Sequence, residues 1–139
     1  MADIISKHGR AKLMSRIKSR DTQPEMVVRR YLHKLGFRYQ LHRRDLPGKP
    51  DMVLPKYKAV IFVHGCFWHH HRACDRSRVP KTNQQFWQQK FDDNRKRDRR
   101  ATKTLRSNGW RVFIVWECQL FSHNRSRRLA RLSSDLKRF

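Results

Sequence analysis

The segment from His64 to Cys74, HGCFWHHHRAC, gathers four of the chain's eight histidines and two of its three cysteines into eleven residues. Thiolate sulfur and imidazole nitrogen are the ligands that tetrahedral Zn²⁺ prefers. Cys66, His71 and Cys74 have the spacing C-x₄-H-x₂-C, and Cys118 follows an apolar run at 110–116 whose strand could adjoin one ending at His64. Three thiolates and one imidazole make a closed structural zinc site, and placing all three cysteines in it accounts for their odd number. Two buried free cysteines and one exposed one are the plain alternative. Zinc needs only one of His69, His70 and His71. Neighbouring side chains in an extended loop point opposite ways, so another of the three can face a substrate. An imidazole, with an ordinary pKa of ~6.5, can take a proton from water near neutral pH. His64, at a strand end, could donate to a phosphate or a leaving oxygen.

Acids are scarce, 11 against 34 Lys+Arg, so those at strand edges matter. Asp51 follows Pro50 and enters a strand. Phosphodiester cleavage calls for a hard oxygen ligand to Mg²⁺, because the ion offsets phosphorane charge and acidifies the attacking water. Pro-Asp before a buried strand resembles the first half of the PD-(D/E)xK nuclease signature. The second half falls on Phe62-Val63-His64, where Phe62 replaces the acid and His64 the lysine. The simpler reading of Asp51 is a turn cap. Glu25 lies three residues after Thr22 and reads locally as half of a capping box; a role in chemistry needs its helix to lie beside the strand ends. Phe67 and Trp68 sit among ligands and polar residues, so their loop should be near the surface. As a wedge they would open a base step, which costs a few kcal/mol and least at a mismatch, while stacking returns ~1–3 kcal/mol per base. The pair reads equally well as core.

The elements that must position these groups follow from periodicity. TQPE at 22–25 starts a helix with Val28, Tyr31, Leu32 and Leu35 on one face and Gly36 at its end. FRYQL at 37–41 alternates as a strand. DMVL at 51–54 and KAVIFVH at 58–64 are strands close enough for a hairpin, the second buried. Thr82 or Asn83 opens a long helix whose stripe is Trp87, Phe91, Asn94, Asp98, Ala101 and Leu105. Asn94 and Asp98 are unexplained on this otherwise apolar stripe and could face the site or DNA. Asn108-Gly109 ends the helix, WRVFIVW at 110–116 is a further buried strand, and Leu129, Leu132 and Leu136 mark a last amphipathic helix. This order predicts one α/β domain over 1–139 around a mixed sheet, with a basic arm at 1–20 and a basic tail or helix at 119–139.

Net charge is +23 and mean hydropathy −0.93. Such self-repulsion is relieved by a polyanion, and nucleic acid is the default partner. No long basic helix carries a continuous apolar face, AVIFV and VFIVW are too short to span a bilayer, and MADIISKHGR lacks an apolar signal core. The expectation is a monomer without membrane contact in a reducing cytoplasm, where thiolates serve as ligands.

RDTQPE, LPGKPDMVLPKYKAVIFVHGCFWHHH, FWQQKFDDNRKRDRR and GWRVFIVWEC, within residues 20–118, together resemble the very short patch repair mismatch endonucleases of bacteria. The resemblance implies a restriction-endonuclease-like fold, a mixed sheet flanked by helices with a structural zinc. It implies nicking of one strand of mismatched double-stranded DNA, 5′ to the thymine of a T:G pair left by deamination of 5-methylcytosine. Asp51 would hold Mg²⁺ together with the backbone carbonyl of Val63, which stands where the family usually has threonine. His69 would be the base, His64 the second catalytic histidine, and Glu25 would orient His69 by hydrogen bonding. Phe67 and Trp68 would be wedges, with Met14 entering from the other groove. Zn²⁺ would be held by Cys66, His71, Cys74 and Cys118. The loop between His71 and Cys74 is one residue longer than the family pattern, and the tail after Cys118 matches none of it. A mismatch-repair protein partner is implied by the family alone. Two other functions fit the same residues: a nickase of this fold without T:G preference, and a non-catalytic, zinc-stabilised DNA-binding protein.

Overall fold

A computed structural model describes residues 21–138 apart from 73, 75 and 76. The basic arm at 1–20, and with it Met14, lies outside the described residues.

Helix α1 spans Gln23–Lys34. Thr22 caps it in extended conformation, Pro24 fits its first turn, and Gly36 leaves it at φ +91°, a left-handed angle that glycine adopts freely. The alternating stretch 37–41 does not form a strand. Only Gln40 pairs, through two hydrogen bonds with Val53 of 2.8 and 3.0 Å. The backbone turns at His42, φ +58°, so the ladder cannot continue.

Strand β1, Met52–Leu54, and strand β2, Ala59–His64, form the expected hairpin, joined by a 3₁₀ turn at Pro55–Tyr57. They pair antiparallel with Met52 opposite Ile61. Strand β3, Arg111–Trp116, runs parallel to β2 with His64 opposite Trp116, completing a mixed sheet in the order β1-β2-β3. A parallel pair needs a long crossover, and helix α2, Gln84–Ser107, is most of it. A single turn, α3 (Glu117–Leu120), follows β3 directly and carries Cys118; its periodicity is too short to announce itself. Helix α4, Arg125–Lys137, closes the chain.

Strand side chains alternate between two apolar layers. One face sets Met52, Leu54, Ile61 and Val115 against Val28 and Leu32 of α1 and Leu129, Leu132 and Leu136 of α4. The other sets Val53, Val60 and Phe62 against Leu105 of α2. Each fully buried leucine contributes about 1.5–3 kcal/mol. Strand β3 is less buried than its composition suggests. It is the sheet edge, and Val115 alone in it is fully covered. Two arginines close that edge. Arg128 donates to the Ile114 carbonyl at 3.0 Å, and the Arg111 guanidinium donates to the carbonyls of Tyr57, Asp135, Leu136 and Arg138. That fork ties the end of α4 to the start of the sheet.

Gly48 explains how the 46–50 turn places Asp51. Its φ is +74°, and a Cβ there would lie 2.7 Å from the Ala101 Cβ. The missing side chain lets the turn rest against α2, while the Asp51 amide joins the hairpin by donating to the Ile61 carbonyl at 3.0 Å. Among the described residues no helix is long and apolar enough to cross a membrane.

Candidate active site and metal centre

The loop after β2 is not extended. His69, His70 and His71 donate backbone amides to the carbonyls of Gly65, Phe67 and Cys66, so the segment is a series of turns with His70 left-handed at φ +48°. The turns, not strand alternation, send the three imidazoles apart. His70 stacks on Phe91, centroids 4.6 Å apart. His71 stacks on Trp116 at 4.0 Å and turns Nδ1 toward sulfur. His69 stacks on His64 at 3.8 Å.

Cys66, His71, Cys74 and Cys118 converge, with ligand atoms all within 4.8 Å of one another. His71 Nδ1 lies 3.6 Å from Cys66 Sγ and 3.4 Å from Cys118 Sγ. A tetrahedral ion with ordinary Zn–S and Zn–N bonds would separate those atoms by about 3.6 Å. Burial pushes the Cys66 thiol up to about 12, so three adjacent thiolates need a cation to coexist. These four residues could hold a metal. Their surroundings suit one: the Cys118 amide donates to Cys66 Sγ, Glu117 accepts from the Cys66 amide, and the buried Ser77 hydroxyl binds the carbonyls of His71 and Cys74.

Glu25, Asp51, Val63, His64, Phe67, Trp68, His69 and Asp98 line one open cavity of about 1310 Å³. Asp51 Oδ2 accepts from the Val63 amide at 2.6 Å. Burial, then the neighbouring Glu25, pushes the Asp51 carboxyl up to about 8. Two carboxyls this close repel when both are charged, and a hard divalent ion between them would offset that repulsion. Phe62 stands where the nuclease signature has its second acid, and it fills the core instead. Helix α1 brings the second carboxyl, Glu25, to Asp51 from outside the sheet.

Glu25 is therefore not the partner of His69. Its oxygens meet the Asp21 amide, the Thr22 hydroxyl, Arg29 and Asp51. The partner is Asp98, whose Oδ2 lies 2.6 Å from His69 Nδ1. An ionised carboxylate only accepts, so in the neutral ring this contact places the proton on Nδ1 and the lone pair on Nε2. Burial pushes His64 down to about 4, leaving it neutral at pH 7 with Nδ1 buried and unpartnered.

Three residues escape a reading of the sequence. Asp98 shows only as a polar break in an apolar stripe. Arg29, six per cent exposed, grips Glu25 at 3.0 Å and Asp21 at 2.7 Å, with no local signal beyond its i+4 spacing from Glu25. Trp87, read as stripe, instead braces the Phe67–Trp68 pair, with Phe91 behind it and the exposed Phe86 beside it. Phe67 and Trp68 are half-buried against this cluster, and Asn94 fixes the Trp68 carbonyl at 2.9 Å.

On a chain this basic, an open cavity with paired carboxylates and an acid-held imidazole suits this protein to the hydrolysis of a phosphodiester. Comparison with known proteins gives its kind. The family pattern described as DNA mismatch endonuclease Vsr matches residues 2–76, and the chain belongs to that family. A type II nicking enzyme, V.XorIIP, of Xanthomonas oryzae is 47% identical over 86% of this chain and 88% of its own. Another, V.NmeAIP, of Neisseria meningitidis is 42% identical over 99% and 98%. The DNA mismatch endonuclease Vsr of Escherichia coli is 46% identical over 86% and 76%. The endonuclease expected from sequence is borne out.

Proposed function

We propose that this endonuclease is a Mg²⁺-dependent nickase on a restriction-endonuclease-like scaffold, cutting one strand of duplex DNA 5′ to the thymine of a T:G mismatch during repair of deaminated 5-methylcytosine. The observation that carries the reading is the shared cavity: the Asp51–Glu25 pair, the His69–Asp98 pair and the aromatic Phe67–Trp68 wall all face it. Relatives named as nicking enzymes and as a mismatch endonuclease support the rest.

Asp51, Glu25 and the Val63 carbonyl would hold Mg²⁺. When bound, the ion supplies positive charge against the phosphorane and acidifies nearby water. His69 Nε2 takes the proton of the attacking water, and the Asp98 carboxylate steadies the imidazolium that results. His64, neutral and stacked on His69, serves as a hydrogen-bond donor to a phosphate oxygen. Phe67 and Trp68 enter the opened step at the mismatch, and Met14 enters from the other groove. Cys66, His71, Cys74 and Cys118 would hold Zn²⁺, clamping the histidine loop to the turn after β3. The acting unit is a cytoplasmic monomer, with a mismatch-repair protein as its partner.

Paired duplexes differing only in T:G against T:A, in several flanking contexts, test this with Mg²⁺ or in Mg²⁺-free buffer, using wild type and Asp51→Ala. The expected product is one nick, in the mismatched duplex, with Mg²⁺ and wild type only. Equal cutting of the matched duplex leaves a nickase without mismatch preference. Binding without any cutting leaves a DNA-binding protein.

A further inference from the structure

The His64, His69 and Asp98 side chains are a wall between two cavities. On the side away from Asp51 lies a groove of about 780 Å³ floored by Ile114 and Trp116. Its rim comes from one face of α2, where Lys96, Arg99, Lys103 and Arg106 recur at steps of three, four and three. All four are exposed, and none has an acidic partner among the described residues. Ten residues of helix rise about 15 Å. One DNA strand carries a phosphate every ~3.4 Å of duplex axis and more widely along its own winding path, so four cations over this length meet several successive phosphates. The apolar floor has no acid to repel them. Two acids do line the groove, and each is engaged, Asp92 by Arg95 at 2.5 Å and Asp98 by His69 at 2.6 Å.

We propose that this groove is the track for the cut strand, holding its phosphodiester backbone on one side of the scissile phosphate after the strand passes the His64–His69 wall. The proposal rests on the nickase reading, since that places the scissile phosphate at Asp51. It separates two jobs along a chain that is basic throughout. Cations on the groove face of α2 hold the reacting strand, whereas Lys90, Arg97 and Arg100, which line neither cavity, add only to the general field.

The test compares two triple variants of equal charge change: Arg99→Ala/Lys103→Ala/Arg106→Ala in the groove, and Lys90→Ala/Arg97→Ala/Arg100→Ala outside it. Binding of a fluorescent T:G duplex is measured in Mg²⁺-free buffer from 50 to 200 mM salt. Every phosphate that the protein ceases to neutralise lowers the slope of log affinity against log salt by about 0.9. The groove triple should therefore flatten the slope by about 2–3, and the control triple by less than about 1. The same binding is then measured on two duplexes, each ending flush with the scissile phosphate on one side. The defect of the groove triple should vanish on one of them and persist on the other. Equal slopes for the two triples, or a defect that survives both truncations, overturn the proposal. Wild-type nicking in Mg²⁺ is followed in parallel. A wild type that never nicks counts against the nickase reading, whereas normal nicking with no contrast between the triples counts against the groove alone.

Discussion

Asp98 Oδ2 lies 2.6 Å from His69 Nδ1, joining residues 29 positions apart across the contact between the histidine loop and α2. The bond selects a tautomer and an orientation together. It leaves Nε2 as the free nitrogen of a ring already held flat against His64.

Replacing Asp98 with Asn should therefore damage turnover and little else. An amide can accept or donate at Nδ1 and no longer compensates an imidazolium. We expect kcat to fall by about 10²–10⁴-fold, with KM for T:G duplex and melting temperature nearly unchanged. Glu at the same position should recover part of the loss. Single-turnover kinetics beside a binding isotherm make the separation; a fall confined to affinity would remove Asp98 from the chemistry.

Mg²⁺ binding should strengthen as pH rises. The Asp51 carboxyl, ordinarily near 3.8, is pushed up to about 8 by burial and Glu25. Its retained proton favours the folded state below about 3.8, and that contribution is lost as pH rises through 8. Mg²⁺ must displace the proton, so affinity should climb by up to about tenfold per pH unit across this window. Glu25→Gln, which removes the neighbouring charge, should flatten the climb. Calorimetric Mg²⁺ titrations at pH 6, 7 and 8 decide, and a flat wild-type profile would mean the two carboxyls do not share a site.

Cys118→Ser should abolish zinc binding at the proposed four-residue site. The residue enters the cluster from beyond β3, 47 positions from His71, so losing it frees the whole loop that carries His69. Structural zinc is worth roughly 10–16 kcal/mol in small peptides; with a separate apolar core present, we expect a melting temperature lower by about 10 °C or more. Elemental analysis should find one zinc per wild-type chain and none in the variant. An unchanged metal content would exclude Cys118 as a ligand.

Arg111→Met tests the sheet edge. Four carbonyls lose a charged donor, and a stability loss of about 2–4 kcal/mol in urea titration is expected. No residue of α4 lines the cavity, so nicking per folded molecule should be retained. A variant as stable as wild type would show that α4 docks through its leucines alone.

Trp68→Ala should reduce discrimination rather than chemistry. A stacking loss of about 1–3 kcal/mol predicts a T:G over T:A preference reduced roughly 5- to 150-fold, read from competition between the two duplexes. An unaltered preference would return Trp68 to a packing role against Trp87.

Much of this was legible in the chain because local rules carry it. Thr22, Pro24 and Gly36 bound α1, the 51–64 hairpin follows its turn residues, and the leucine spacing of α4 is helical. The convergence of the cysteines with a histidine was legible for a different reason: those residue types in that number have few other uses in so basic a chain. Residues 37–41 failed as a strand because alternation describes a half-buried surface, and only Gln40 found a neighbour to pair with. Strand β3 seemed buried because its composition is apolar, yet its exposure depends on lying at the sheet edge.

By itself the sequence determined which chemistry was available: thiolates and imidazoles for a metal, a carboxylate entering a strand, and cations for a polyanion. Tertiary structure alone decided which groups act together. Asp51 received Glu25 from a helix rather than an acid from its own sheet, and His69 received Asp98 instead of Glu25. Such pairings join residues tens of positions apart. They arise where the packing of α1 and α2 on the sheet brings side chains within hydrogen-bond reach, and periodicity along the chain carries no record of that distance.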